Sequence, residues 1–127
     1  MTRFWRYGRY AAAFALAVHG LIHFLGIGVY FELAEFADLP YKTTLAGGAV
    51  DVGHVGIRIF AVVTAVAGAG FVVAAAALLG NWRRWRQLLL AVTLLSFVLT
   101  ALDWTVASMG VLANLAILVA LLAERYW

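Results

Sequence analysis

His19 and His23 stand four residues apart in the stretch "HGLIHFLG", inside a long apolar run. On a helix that spacing puts both imidazoles on one face. Two such histidines can clamp a transition metal, with His54 as a third ligand and Asp51 or Asp103 as a fourth. The metalloprotease pattern HExxH is not matched, because Gly20, Leu21 and Ile22 supply no general base. A b-type haem takes one axial histidine from each of two helices. His23 and His54 suit that role, and Gly20, Gly26, Gly28, Gly53 and Gly56 would leave room for the ring. Imidazoles also titrate near neutral pH and could serve a proton or substrate path, which in so small a chain requires an oligomer. The plainest reading is that the histidines bond Thr, Ser or Asn on neighbouring helices as interhelical glue, at roughly 0.5 to 2 kcal/mol each. No serine or threonine has an activating motif beside it; Ser96, Thr100 and Ser108 have only Asp103 and the histidines to draw on.

The elements that position these residues follow from composition. Of 127 residues, 66% are hydrophobic and 12% charged, against about a quarter charged in a soluble domain. A soluble fold of this size cannot hide that much apolar surface, so the solvent is a bilayer. The chain has no cysteine, which excludes disulfides, thiolate metal sites and thiol redox chemistry. Its net charge of +3 reads as a topology signal, with too few basic residues for a nucleic-acid face.

Four apolar runs, at about 10–31, 55–79, 88–103 and 106–123, predict an all-α, four-helix transmembrane bundle forming a single domain over 1–127. The last two runs are read as a tight helical hairpin around "DWTVASMG". The N-terminal run is long for a signal peptide and lacks a small-x-small cleavage site, so it is expected to stay as the first helix. The one long connection, 32–50, carries Pro40 and Gly47–Gly48, which break any continuous helix. A short amphipathic piece capping the outer surface is expected there.

Charge sets the expected orientation. Arg3, Arg6, Arg9, Arg83, Arg84, Arg86 and Arg125 fall on one side of a four-pass chain, while Glu32, Glu35, Asp38, Asp51 and Asp103 fall on the other. The positive-inside rule then puts both termini in the cytoplasm of a prokaryotic cell membrane. Trp5, Tyr7, Tyr10, Trp82, Trp85, Tyr126 and Trp127 make an inner aromatic belt. Tyr30, Tyr41 and Trp104 mark the outer one.

Each helix carries few polar positions, and they fall in stripes. His19 and His23 share a face with Gly26 and Tyr30. Asp51, His54 and Arg58 stripe the outer end of the second run, continued by the small residues Ala61, Ala65 and Gly68. Thr93, Ser96, Thr100 and Asp103 form the third stripe, and Asn114 stands alone on the fourth. Charges facing lipid are costly, so the stripes should converge. The expected result is an outward-facing pocket of His19, His23, Asp51, His54, Arg58, Thr100, Asp103 and Asn114. Arg58 should pair with Asp103 or Asp51. Such a pocket would bind a small quinone- or lipid-like ligand, or belong to an accessory subunit of a membrane complex or a homo-oligomer. The alternative is a redox subunit holding haem b or a transition metal through His23 and His54, with His19.

The segment "FALAVHGLIHFLG" resembles the first helix of a group of small four-helix bacterial and archaeal membrane proteins, which carry an "HGLIHLLG"-like element there. The stretches "GIRIFAVVTAVAGAGFVVAAAALL" and "GVLANLAIL" are similar to the second and fourth helices of that group. More distantly, "HGLIHFLG" resembles the "HG..KL.G" element of DoxX-like proteins, with His23 where that element has a basic residue. The resemblance implies a four-helix membrane fold; some of the DoxX-like proteins are associated with quinone-linked redox complexes.

Overall fold

The computed structural model describes residues 3–125, and the side chains of residues 6–124. The inner-belt assignments of Trp5, Tyr126 and Trp127, and the charges of Arg3 and Arg125, fall outside the described side chains. The chain is mostly helical: α1 (Arg3–Ile22), α2 (Leu25–Tyr30), α3 (Gly53–Leu79), α4 (Trp85–Leu102) and α5 (Trp104–Arg125). Four spans are long and apolar enough to cross a membrane: Arg6–Tyr30, Gly53–Leu79, Trp85–Leu102 and Trp104–Glu124. The chain is therefore a multi-pass helical protein by the length and composition of its helices. Large apolar side chains such as Phe14, Val66, Met109 and Val119 stay exposed on the outside of the bundle, which hydrocarbon tolerates and water does not.

The first span is broken. His23 and Phe24 leave the α-helical pattern, and their amides bond the carbonyls of Gly20 and Leu21, each at 3.1 Å. These are three-residue steps, a tightened turn between α1 and α2. The crossing with α3 sits at the same level. A Cβ added to Gly20 would lie 2.5 Å from the Gly68 carbonyl oxygen, and one added to Gly68 would lie 2.7 Å from His23 Cβ. Backbone touches backbone here, the close approach that small residues permit in membranes.

The turn between α4 and α5 is shorter than expected. Asp103 alone separates the helices, and the amides of Val106 and Ala107 bond its carbonyl at 3.1 and 2.9 Å. The long connection, 32–50, also differs from the expected amphipathic piece. It folds into a small antiparallel hairpin, β1 (Thr44–Leu45) against β2 (Val50–Asp51), in the register Thr44 to Asp51 and Leu45 to Val50. The turn runs through Ala46, Gly47 and Gly48, with φ of 54°, 66° and 94°. Three successive left-handed residues cannot continue a helix, and two of them are glycine. Leu45 points inward and joins Val29, Tyr30, Ile57 and Ala61 in a core at the hairpin end. A second core of Ala13, Leu16, Phe71, Ala74, Ala75, Leu89 and Val92 fills the other half. In lipid this packing rests on dispersion and shape, since lipid tails are as apolar as leucine.

Candidate functional site

Between the two cores lies a hydrogen-bonded ring of polar side chains. His23 is 6% exposed, and Ser96 and Asn114 are 0% exposed. His23 Nδ1 is 2.7 Å from the His19 carbonyl oxygen, and its Nε2 is 2.7 Å from Ser96 Oγ. Asn114 Nδ2 donates to Ser96 Oγ at 2.9 Å and to Thr100 Oγ1 at 3.2 Å. Asn114 Oδ1 is 3.0 Å from His19 Nε2. Phe71 packs edge-on to the His19 ring at 4.7 Å and tilted against His23 at 5.3 Å.

The proton placement follows from donor and acceptor chemistry. A carbonyl can only accept, so His23 Nδ1 carries a proton and donates to the His19 carbonyl. With the ring neutral, Nε2 accepts from the Ser96 hydroxyl. Asn114 Oδ1 likewise only accepts, so His19 Nε2 donates to it. The break in the first span explains the odd bond to the backbone. In an unbroken helix the His23 amide would take the His19 carbonyl. Here the amide turns to Gly20, and the His23 ring satisfies the carbonyl it releases. A freed carbonyl in hydrocarbon needs such a partner.

The expected single pocket separates into three groups. The first is the ring of His19, His23, Ser96, Thr100 and Asn114. The second is a clamp at the hairpin end, where Lys42 pairs with Asp103 and Tyr30 Oη donates to Asp103 Oδ2 at 3.1 Å. The third is an exposed set. Asp51 Oδ1 caps the Gly53 amide at 2.9 Å, and His54 bonds and stacks on Tyr41. Arg58 reaches the Tyr30 carbonyl at 3.3 Å and Glu32 at 3.6 Å. The Gly53 amide, and next the Thr43 hydroxyl, hold the Asp51 carboxyl below the usual carboxylate range.

Several expectations are corrected by this geometry. Arg58 pairs with Glu32, not with Asp103 or Asp51, because Lys42 from the outer loop reaches Asp103 first. Tyr30 is no belt residue but a core one, 2% exposed, with Asp103 satisfying its hydroxyl. Asp51, His54 and Arg58 do not line a pocket with the buried histidines; the hairpin and α2 close that end. The pairing of His23 with His54 for haem or metal does not fit either. Both His23 nitrogens are engaged, His54 is exposed and held by Tyr41, and no group of three or more His, Cys, Asp or Glu converges among the described residues.

The large concavity lies at the opposite end. The helices pack α1 on α3, α3 on α4 and α4 on α5, so α1 and α5 flank an open side. Between them runs a cleft of about 1060 Å³, just above the roughly 300–1,000 Å³ of small-molecule sites. Small residues make its walls, Ala12 and Ala15 on α1 and Ala113, Ala116 and Ala120 on α5. Leu78, Trp85 and Leu89 form its floor, His19 ends it within the bundle, and Arg9, Asn81, Arg86 and Glu124 rim its mouth. The sequence did carry a signal for it. Gly8, Ala12, Ala15 and His19 recur at helical spacing, as do Ala113, Ala116, Ala120 and Glu124. The histidine ring touches this cleft through His19, which is only partly buried. Comparisons with protein families, with curated proteins and with solved structures find no match.

Proposed function

We propose that this chain is a small polytopic protein of a prokaryotic cell membrane, with both termini cytoplasmic, that binds a quinone- or lipid-like amphiphile in the cleft between α1 and α5. One observation carries the reading: a cleft of about 1060 Å³ with small apolar walls, a charged rim and one imidazole at its deep end. Such a site, apolar with a few convergent polar groups, suits a molecule with an apolar body and a polar group. The arginine-rich end, with Arg6, Arg9, Arg83, Arg84 and Arg86, supports the cytoplasmic assignment of the rim. The likeness of "HGLIHFLG" to proteins of quinone-linked complexes favours keeping a quinone among the candidates.

The test is retention of ligand by the purified full chain in detergent, with decylubiquinone and a lysophospholipid as probes. About one molecule of either per chain, lost in Ala116→Trp, supports the reading. Retention of neither, or retention unchanged by Ala116→Trp, refutes it.

A second reading, subunit of a homo-oligomer or of a larger membrane complex, draws on α5. Only 6% of its apolar window is buried, against 28–33% for the other spans. Crosslinking in native membranes through cysteines placed at Met109 and Leu112 tests it; crosslinked products support it, and their absence sets it aside.

A further inference from the structure

We propose that the cleft mouth is a phosphate site for an anionic lipid of the adjoining leaflet, with Arg9 as the residue that grips the headgroup. The inference rests on the cleft reading above and names its occupant.

Arg9 is the group that calls for an anion. Its Nη1 donates to Asn81 Oδ1 at 2.5 Å, which anchors one end of the guanidinium. Its Nε is buried and has no hydrogen-bond partner among the described residues. A guanidinium presents its donors as a rigid fork matched to phosphate oxygens, and a buried donor without an acceptor is rare. The other cation at the rim is already neutralised, since Arg86 Nη2 bonds Glu124 Oε1 at 2.7 Å. Arg6, Arg83 and Arg84 lie at the same end of the bundle and are exposed. The field at the mouth is therefore positive, and Arg9 is the rim cation with no carboxylate partner among the described residues. Basic pockets between helices on the cytoplasmic side are where anionic headgroups bind.

The geometry of the walls selects a lipid over a free ion. From Gly8 to His19 the α1 wall runs eleven residues, roughly 16 Å at 1.5 Å each. Half of a hydrocarbon core of about 30 Å is nearly the same length. A phosphate held at Arg9 places an acyl chain along Ala12, Ala15 and Leu16 and over the α5 alanines, ending near His19 at the bilayer centre. The cleft is thus one leaflet deep, and its open side lets a lipid enter sideways from the membrane.

Native mass spectrometry of the full chain in a non-ionic detergent tests this, with dioleoylphosphatidylglycerol, dioleoylphosphatidylcholine and inorganic phosphate as probes. The expected result is one phosphatidylglycerol per chain, held at least tenfold tighter than phosphatidylcholine. Arg9→Gln should weaken it about tenfold, Arg9→Lys less, and Ala116→Trp should abolish it. Arg84→Gln, outside the lining of the cleft, removes only a share of the surrounding field and should weaken it far less than Arg9→Gln. Circular dichroism of each variant checks that the helices persist. Equal retention of both lipids with no effect of Arg9→Gln overturns the headgroup site while leaving the cleft reading intact. No effect of Ala116→Trp overturns both. Competition by millimolar inorganic phosphate, or a second copy of the chain in place of the lipid, assigns a different occupant and overturns the proposal.

Discussion

Replacing Asn114 with leucine measures what the polar ring contributes to the bundle. Asn114 is fully buried and bonds His19, Ser96 and Thr100, joining α5 to both α1 and α4. Leucine nearly conserves its volume, so the cavity term of an alanine substitution is avoided. The partners are not left stranded. Ser96 Oγ keeps His23 Nε2, Thr100 Oγ1 keeps the Ser96 carbonyl at 2.8 Å, and His19 lies at the cleft edge. The loss is therefore the bonding contribution itself, without a large desolvation penalty. Interhelical bonds in membranes average about 0.6 kcal/mol and reach about 1.7, so three bonds predict a loss of about 2 kcal/mol. Unfolding in mixed micelles with rising dodecyl sulfate, followed by circular dichroism, gives this number. Adding Ser96→Ala closes a double-mutant cycle, and the coupling should be about 0.6 kcal/mol. A loss under about 0.5 kcal/mol, or a coupling indistinguishable from zero, would refute the claim that the ring holds these helices together.

The close crossing makes a sharper contrast between two glycines. Gly68→Ala meets the Gly20 carbonyl and His23 Cβ, both backbone-fixed, and should cost about 1–3 kcal/mol in the same assay; Gly8→Ala, with nothing within 4 Å, should cost nothing. Asp103→Asn removes the charge facing Lys42, which is one-fifth exposed. A loss of about 1–3 kcal/mol is expected, below that of a fully buried pair, with faster hydrogen exchange across 44–51; unchanged exchange would show that the clamp does not hold the hairpin. Asp51 titrates below its unfolded value, so its contribution is present above an unfolded pKa of about 3.9 and is lost as pH falls through the lower folded value. A carboxyl-carbon NMR titration should put its midpoint below 3.9, moving up in Thr43→Ala; a midpoint at or above 3.9 contradicts the Gly53 and Thr43 bonds.

The parts of this fold that were legible in the sequence are those governed by the cost of polarity in hydrocarbon. Thr93, Ser96, Thr100 and Asp103 share a stripe, and all four are buried. Asn114, alone on its helix, faces them. The histidines divide as polarity demands, each with a partner on another helix. What the sequence hid depends on loops. Nothing in the spacing of Lys42 ties it to Asp103, because a hairpin of two-residue strands sets that contact. Once Lys42 takes Asp103, Arg58 is released to the surface and Tyr30 is drawn into the core. Two expectations, the partner of Arg58 and the belt position of Tyr30, changed for that one reason.

The broken turn at His23 connects these observations. The Gly20–Gly68 contact brings the α1 and α3 backbones together at the level where the first span bends. Beyond the break α2 packs on α3, and with the hairpin it seals that half around Tyr30 and Ile57. Before the break, small residues on α1 and α5 leave the other half open. The polar ring stands at the boundary, with its His23 side sealed and its His19 side facing the cleft. A substitution that straightens the first span should therefore act on both halves at once. It returns the His19 carbonyl to the His23 amide, releases the His23 ring from its backbone acceptor, and withdraws α2 from the outer core. The two histidines of "HGLIHFLG" thus do different work: His23 secures the break, and His19 presents the polar side chain at the deep end of the cleft.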